Sequence, residues 1–380
     1  MKKTVFGLMM TAALLLAAAC ENTIRYEYDP TDAQITLYAQ LSTADLSHTV
    51  FLSMSYPDRA EPLPGATVSL TVNGERIETH EMPVPMEEYY EYDPADDSYV
   101  SKMRPASQRH TEYTFSARFK PGDEVRVEAV KGSLHAWADV TVPQPVRFVK
   151  VDTATVVRTI RYMDLDGDSS WDNTYVDVAA TIRDLSGEDN YFTLTASRQS
   201  EGECRYYNDE GELERTEPYC LEDRGVRYET FHDRILEDGY SAGEANSLLE
   251  ELMATNEMHC FSDKEFRDAE ATVRPSFDWD KFYPMVGGWS GIYVPPGAAG
   301  ELHTVFTLHL RTISRDYYNY LRALNNMETY GYDVTPIIEP TMLPSNVTGG
   351  MGLVSVAAED TVAFDLGTVS FDRRGDELYY

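Results

Sequence analysis

The chain has 380 residues and carries 64 acidic against 32 basic side chains, a formal net charge of −32. This charge excludes nucleic acids and anionic membrane surfaces as electrostatic partners, because a field of this sign repels them. It favours cationic ligands or divalent ions, with solubility alone as the alternative explanation. Hydrophobic residues make up 42% of the chain, enough for extensive cores, and the length predicts two domains.

The first twenty residues carry an export signal. Lys2 and Lys3 precede an uncharged apolar run over residues 5–19, which is too short to span a bilayer and predicts a signal peptide over 1–19. Three alanines stand directly before Cys20, and this arrangement resembles a bacterial lipobox. The resemblance implies that Cys20 is the lipidated first residue of a polar tether over 20–33. An ordinary signal peptide, with Cys20 a plain cysteine, is the alternative.

Alternating apolar and polar residues predict a series of short strands between residues 34 and 143. In the run 66–72 every second side chain is apolar, and Asn73-Gly74 directly after it predicts a tight hairpin turn. Seven such strands over about 110 residues predict an immunoglobulin-like or prealbumin-like β-sandwich. The stiff Pro-Gln-Pro segment 143–145 predicts the end of this domain.

An insertion over residues 81–109 interrupts the strand pattern. Its centre, 87–99, consists of acids and tyrosines with few aliphatic residues, so it predicts a long loop or a protruding hairpin outside the core. Tyrosine gives a large amphipathic contact area at low rotamer cost. The sequence therefore offers a candidate binding surface, with a solvated loop as the alternative, at Tyr89, Tyr90, Tyr92 and Tyr99.

The rest of the chain, 146–380, predicts a larger β-rich domain with about two helices. Ser241 and Glu244 form a capping box before an apolar stripe, which predicts a helix near 241–255. A second helix is predicted near 314–326, where Asp316 in the first turn favours the positive end of the helix dipole. The overall fold class is therefore mainly β.

Two features of the second domain suggest covalent or metal chemistry. Cys204 and Cys220 flank a turn, and in an oxidising compartment this spacing predicts a disulfide across the base of a hairpin, with Cys260 left as a lone buried thiol. An acidic turn resembles a calcium loop, although it departs from the EF-hand pattern and an acidic surface turn is the alternative. The calcium candidates are Asp164, Asp166 and Asp168.

The motifs of common enzymes are missing from the sequence. It contains no GxSxG segment, no cysteine in a nucleophile setting and no zinc-protease helix. His303 and His309 share one strand face but lie ~20 Å apart at ~3.3 Å per residue, too far to share a metal ion. The sequence therefore predicts a protein that is not an enzyme and holds no cofactor, with calcium as the one alternative.

A resemblance to one family rests on the order of several segments. These segments are 64–68 (PGATV), 120–127 (KPGDEVRV), 261–266 (FSDKEF), 313–321 (ISRDYYNYL) and 345–352 (SNVTGGMG). With the lipobox they resemble the Bacteroidetes lipoprotein family catalogued as domain of unknown function 4249. The resemblance implies an outer-membrane lipoprotein, displayed at the cell surface, that works beside a TonB-dependent receptor. The alternatives are an adhesin or structural envelope subunit and, more remotely, an unrecognised hydrolase.

Overall fold

The computed structural model describes residues 33–56, 59–93, 98–164, 167–208, 210–223, 226, 228–230, 233–238, 256–278, 297–330 and 343–372. The strands of the first part are β1 Gln34–Ser42, β2 Ser47–Tyr56, β3 Arg59–Pro62, β4 Thr67–Val72, β5 Glu75–Ile77, β6 His80–Glu81, β7 Met86–Asp93, β8 Ser98–Pro105, β9 Thr111–Ser116, β10 Glu124–Lys131 and β11 Leu134–Thr141. The strands of the second part are β12 Phe148–Asp164, β13 Gly167–Arg183, β14 Tyr191–Tyr207, β15 Leu213–Asp223, β16 Cys260–Ser262, β17 Glu270–Val273, β18 Ser276–Asp278, β19 Ala298–Ile313 and β20 Met351–Asp372. The helices are α1 Arg234–Glu237, a 3₁₀ turn Asp263–Glu265 and α2 Arg315–Tyr330.

One large sheet runs through both parts of the chain. Its strand order is β15-β14-β19-β20-β1-β2-β9-β6, with β16 and β3 paired to β14 and β2. Two smaller sheets, β11-β10-β4-β5 and β12-β13-β17 with β18, supply the opposing layers, and β7-β8 forms a separate two-stranded sheet. The predicted mainly β fold class is therefore confirmed.

The first sandwich packs β1, β2 and β9 against the β11-β10-β4-β5 sheet. Alternation places Ile35, Leu37 and Ala39 of β1 in the core at 0% exposure, against residues such as Val127 and Ala136 of the opposing sheet. The predicted hairpin between β4 and β5 is present, with Asn73 at φ 52° and Gly74 at φ 82°. These positive φ angles are what a tight hairpin turn requires.

The last strand, β20, connects the two sandwiches. Residues 351–357 pair with β1 in parallel, and residues 358–372 pair with β19 in antiparallel. At the start of the strand, Gly352 has φ 114°, and a Cβ there would lie 2.1 Å from the carbonyl oxygen of Leu37, so only glycine fits this close approach. Val354 and Val356 belong to the first core, which therefore includes residues far outside 34–143. How the chain divides into independently folding domains stays a prediction.

The second core lies between the other half of the large sheet and the β12-β13-β17 sheet. Phe192 and Leu194 of β14 and Leu308 of β19 are fully buried there, against Ala180 and Ile182 of β13. These residues occupy every second position of their strands, so the residues between them point to the opposite face.

Helix α2 covers part of that opposite face. It runs over Arg315–Tyr330, where a helix near 314–326 was predicted, and Ser314 Oγ accepts a hydrogen bond from the Tyr317 amide at its start. Its Tyr318 and Leu321 pack against Cys260 and Ala357. The other predicted helix, near 241–255, lies outside the described residues. Among the helices that are described, none has the length and apolar character needed to cross a membrane.

Candidate functional sites

The insertion predicted from the Tyr- and acid-rich segment forms the β7-β8 hairpin. Its register pairs Met86 with Pro105, Tyr90 with Ser101 and Tyr92 with Tyr99. Residues directly opposite each other in an antiparallel pair share a face, so the register assigns every described side chain to one of two faces. Within the described part of the chain, this hairpin pairs with no other strand.

One face of the hairpin, here called the Met/Tyr face, presents large apolar side chains to solvent. Met86 is 54% exposed, Tyr90 64%, Tyr99 70% and Met103 58%. Side chains of this size are usually buried, and a contiguous exposed set marks an interaction surface more often than isolated residues do. The structure thus brings together two of the four predicted tyrosines. The side chain of Tyr92 lies outside the described residues.

The other face of the hairpin carries ion pairs, beside one exposed apolar side chain, Val100. Arg104 Nε donates to Glu87 at 2.7 Å, and Lys102 Nζ donates to Glu91 at 2.5 Å. Tyr89 belongs to this face, with the Arg104 guanidinium carbon 4.9 Å from its ring centroid. The hydrogen bond from Lys102 lowers the pKa of Glu91. Because ion pairs occupy this face, the Met/Tyr face is the one offered to a partner.

The predicted disulfide is not formed. Cys204 is a buried free thiol and Cys220 an exposed one. The register of β14 and β15 places Cys204 opposite Glu217 and Cys220 opposite Glu201. This offset of three residues puts the two side chains on opposite faces of the sheet, where no bridge can join them. Cys260 is buried and free, as predicted, and burial raises the pKa of its thiol to about 12.

The predicted calcium turn connects β12 and β13, with Asp164 paired to Gly167 at the hairpin end. Asp166 lies outside the described residues, as do the side chains of Asp164 and Asp168, so the calcium prediction stays a prediction. Elsewhere in the described ranges, no three His, Cys, Asp or Glu side chains are placed to hold a metal ion. Cys20 also lies outside the described residues.

A cleft of about 570 Å³ lies on the outer face of the β12-β13 sheet, next to α1. Arg158 donates to Asp177 at 2.6 Å and to Ser276 at 3.1 Å, and Ser276 also bonds to Asp177. Burial raises the pKa of Asp177, but the hydrogen bonds from Arg158 and Ser276 and the Arg158 charge outweigh it and lower the pKa. A carboxylate that stays ionised near neutral pH is not a general acid, so this cleft does not indicate acid catalysis.

A polar array that sequence reasoning missed crosses four strands of the large sheet. His309 Nε2 lies 2.7 Å from Ser197 Oγ, and His309 Nδ1 lies 2.6 Å from Glu359 Oε1. Arg311 Nε donates to the other carboxylate oxygen of Glu359 at 2.7 Å, and Ser42 Oγ donates to it at 3.3 Å. Glu359 is 5% exposed and His309 20%. No sequence motif reveals this array, because its members come from β1, β14, β19 and β20.

The electrostatics of this array follow from the partners of Glu359. Burial alone would raise its pKa, but the hydrogen bonds from His309 and Arg311 and the charge of Arg311 outweigh burial and lower the pKa to about 2. Glu359 is therefore a buried carboxylate that stays ionised across the physiological range.

Comparison with known proteins places the chain in a family. A family model described as a domain of unknown function (DUF4249) matches residues 21–362. The chain belongs to this family. The resemblance to DUF4249, which rested on the order of several segments along the sequence, is therefore confirmed. Membership of the family by itself assigns neither an activity nor a membrane anchor. Comparison with the curated proteins finds no match to the chain.

Proposed function

We propose that this DUF4249 protein is a lipoprotein of the outer membrane, anchored through Cys20, whose role at a TonB-dependent receptor is that of a non-catalytic accessory subunit. The observation that carries the proposal is the Met/Tyr face of the β7-β8 hairpin, with four large side chains more than half exposed. Aromatic and methionine side chains are enriched at protein–protein interfaces and supply much of their binding energy. The lipobox supports the anchor, and the resemblance stated from the sequence supports the receptor.

The charge of the hairpin limits which partners fit it. Residues 86–105 contain six acidic and two basic side chains. Two copies of the hairpin would both carry this net negative charge, which disfavours self-assembly through the hairpin and with it the alternative of a self-polymerising envelope subunit. A receptor surface with apolar and cationic side chains is the complementary partner. If the protein were an adhesin that bound a host protein through the Met/Tyr face, that host surface would also need apolar and cationic side chains.

The remote hydrolase alternative is favoured by a different observation, the hydrogen-bonded Ser197, His309 and Glu359. A carboxylate with a shifted pKa next to a histidine is a feature that such an enzyme would show. This array lies on the large sheet and not on the hairpin, so the two functions are separable by experiment.

Site-specific photo-crosslinking tests the receptor proposal. A photoreactive benzoylphenylalanine in place of Tyr90, on the Met/Tyr face, should crosslink to a TonB-dependent receptor in intact cells. The same probe in place of Tyr89, on the ion-paired face, is the matched control and should crosslink several-fold less. Absence of a receptor adduct from position 90, or equal adducts from both positions, would count against the proposal.

A further inference from the structure

The Ser197–His309–Glu359 array has the spatial order of a serine nucleophile, its base and the acid that orients the base. All three side chains lie on the face of the large sheet opposite the second core, since the core residues alternate with them along β14 and β19. His309 reaches diagonally to Ser197 on one neighbouring strand and to Glu359 on the other, with distances of 2.7 and 2.6 Å. Both distances lie in the range of strong hydrogen bonds.

The positions of the protons on His309 follow from its hydrogen-bond partners, Glu359 and Ser197. An ionised carboxylate only accepts hydrogen bonds, so His309 must donate its Nδ1 proton to Glu359. When His309 is neutral, its lone pair lies on Nε2, and Ser197 Oγ, 2.7 Å away, donates a hydrogen bond to it. Arg311 and Ser42 hold the second carboxylate oxygen of Glu359, so the carboxylate cannot rotate away from the imidazole without losing these bonds.

The serine and the carboxylate of the array differ in how far they are buried. Ser197 is half-buried at the surface of the sheet, whereas Glu359 is nearly fully buried beneath it. The inference requires that an incoming molecule reach the serine hydroxyl, while the orienting carboxylate is shielded from water. The backbone around Ser197 takes part in the β14-β19 ladder, so the described strands leave no pair of amide donors free for an oxyanion. Reaction is thus expected with activated substrates, which need less stabilisation of the developing charge.

We propose that Ser197 is a base-activated nucleophile that takes an acyl group from carboxylic esters with a good leaving group. Ser197 Oγ bonds to the acyl carbon as its proton passes to His309 Nε2, the bond to the leaving oxygen breaks, and that oxygen takes the proton. A water molecule then gives its proton to Nε2 as its oxygen bonds to the acyl carbon. Ser197 Oγ leaves with that proton, which frees the acid. In this scheme His309 is the catalytic base and Glu359 a positioning residue. The inference does not depend on the receptor role.

A fluorophosphonate probe on the purified full-length lipoprotein tests the inference, because such probes phosphonylate activated serines and release fluoride. We expect the adduct on the tryptic peptide that contains Ser197, and its complete loss in Ser197→Ala. His309→Gln should slow labelling at least tenfold, because glutamine cannot act as the base. Thr195→Ala is the matched control: Thr195 lies directly opposite His309 on the same face, and the change should leave the rate unaltered.

Circular dichroism and thermal melting establish that each variant is folded before its labelling is compared. Labelling of the folded wild-type protein shows whether Ser197 is a nucleophile, even where a variant fails to fold. No adduct at Ser197 in wild type would overturn the inference, and so would an equal labelling rate in folded His309→Gln. In either case the array would be a structural ladder of hydrogen bonds across three strands.

Discussion

Glu359 shows how single residues in this protein depend on partners far away in sequence. Its carboxylate is held by His309, 50 residues earlier, and by Ser42, 317 residues earlier. From the sequence alone, His309 was considered only as a metal ligand beside His303. Its contacts with Ser197 and Glu359 depend on how the strands pair, which the sequence does not show. For the same reason the Cys204–Cys220 disulfide was wrongly predicted: loop length suggested a bridge, whereas register decides which face each thiol occupies.

The lowered pKa of Glu359 predicts an acid-sensitive contribution to stability. Its pKa falls from 4.5 to about 2 on folding, so its contribution is fully present above pH 4.5 and is lost as the pH falls toward 2. A shift of this size corresponds to on the order of 3 kcal/mol. Urea unfolding between pH 2 and 7 should therefore show Glu359→Gln less stable than wild type at neutral pH, with the difference shrinking in acid. A difference that stays constant with pH would contradict this assignment.

At the scale of elements, the β7-β8 hairpin protrudes from the sandwich without supporting it. Its described residues belong to none of the hydrophobic cores, and its two ends are already joined, since the Ala106 amide donates to the Pro85 carbonyl at 2.8 Å. Replacing residues 86–105 with the turn Asn-Gly should therefore change the free energy of unfolding by no more than about 0.5 kcal/mol, as for surface changes in general. Denaturant unfolding measures this directly. A loss several times larger would mean that the hairpin is part of the fold.

The strands of the first sandwich could be predicted from the sequence because alternation is local. The burial of every second residue in β1 and β4, and the turn at Asn73-Gly74, follow from a few neighbouring residues. The parallel pairing of β20 with β1 could not be predicted, because no residue pattern within Met351–Asp372 indicates pairing with a strand more than 300 residues earlier. Likewise, the composition of the insertion predicted exposure, but only the register separates the Met/Tyr face from the ion-paired one.

At the scale of the molecule, a sheet with ten strands among the described residues makes the two halves of the chain one scaffold. The fold class and the family could be predicted from strand patterns and segment order, and both are confirmed. The lipid anchor and the receptor partner stay predictions, since Cys20 lies outside the described residues and the structure contains this chain alone. In the proposed arrangement Cys20 tethers an acidic scaffold to the outer membrane, and the hairpin meets the receptor there.

Co-purification from detergent-solubilised native membranes tests this arrangement most directly. The tagged wild-type protein should bring a TonB-dependent receptor with it in near-stoichiometric amount, and the chain that lacks residues 86–105 should lose it. Cys20→Ser is the control for the anchor and should leave the membrane fraction. If the wild-type protein, intact and membrane-bound, brings no such receptor, the accessory role is contradicted.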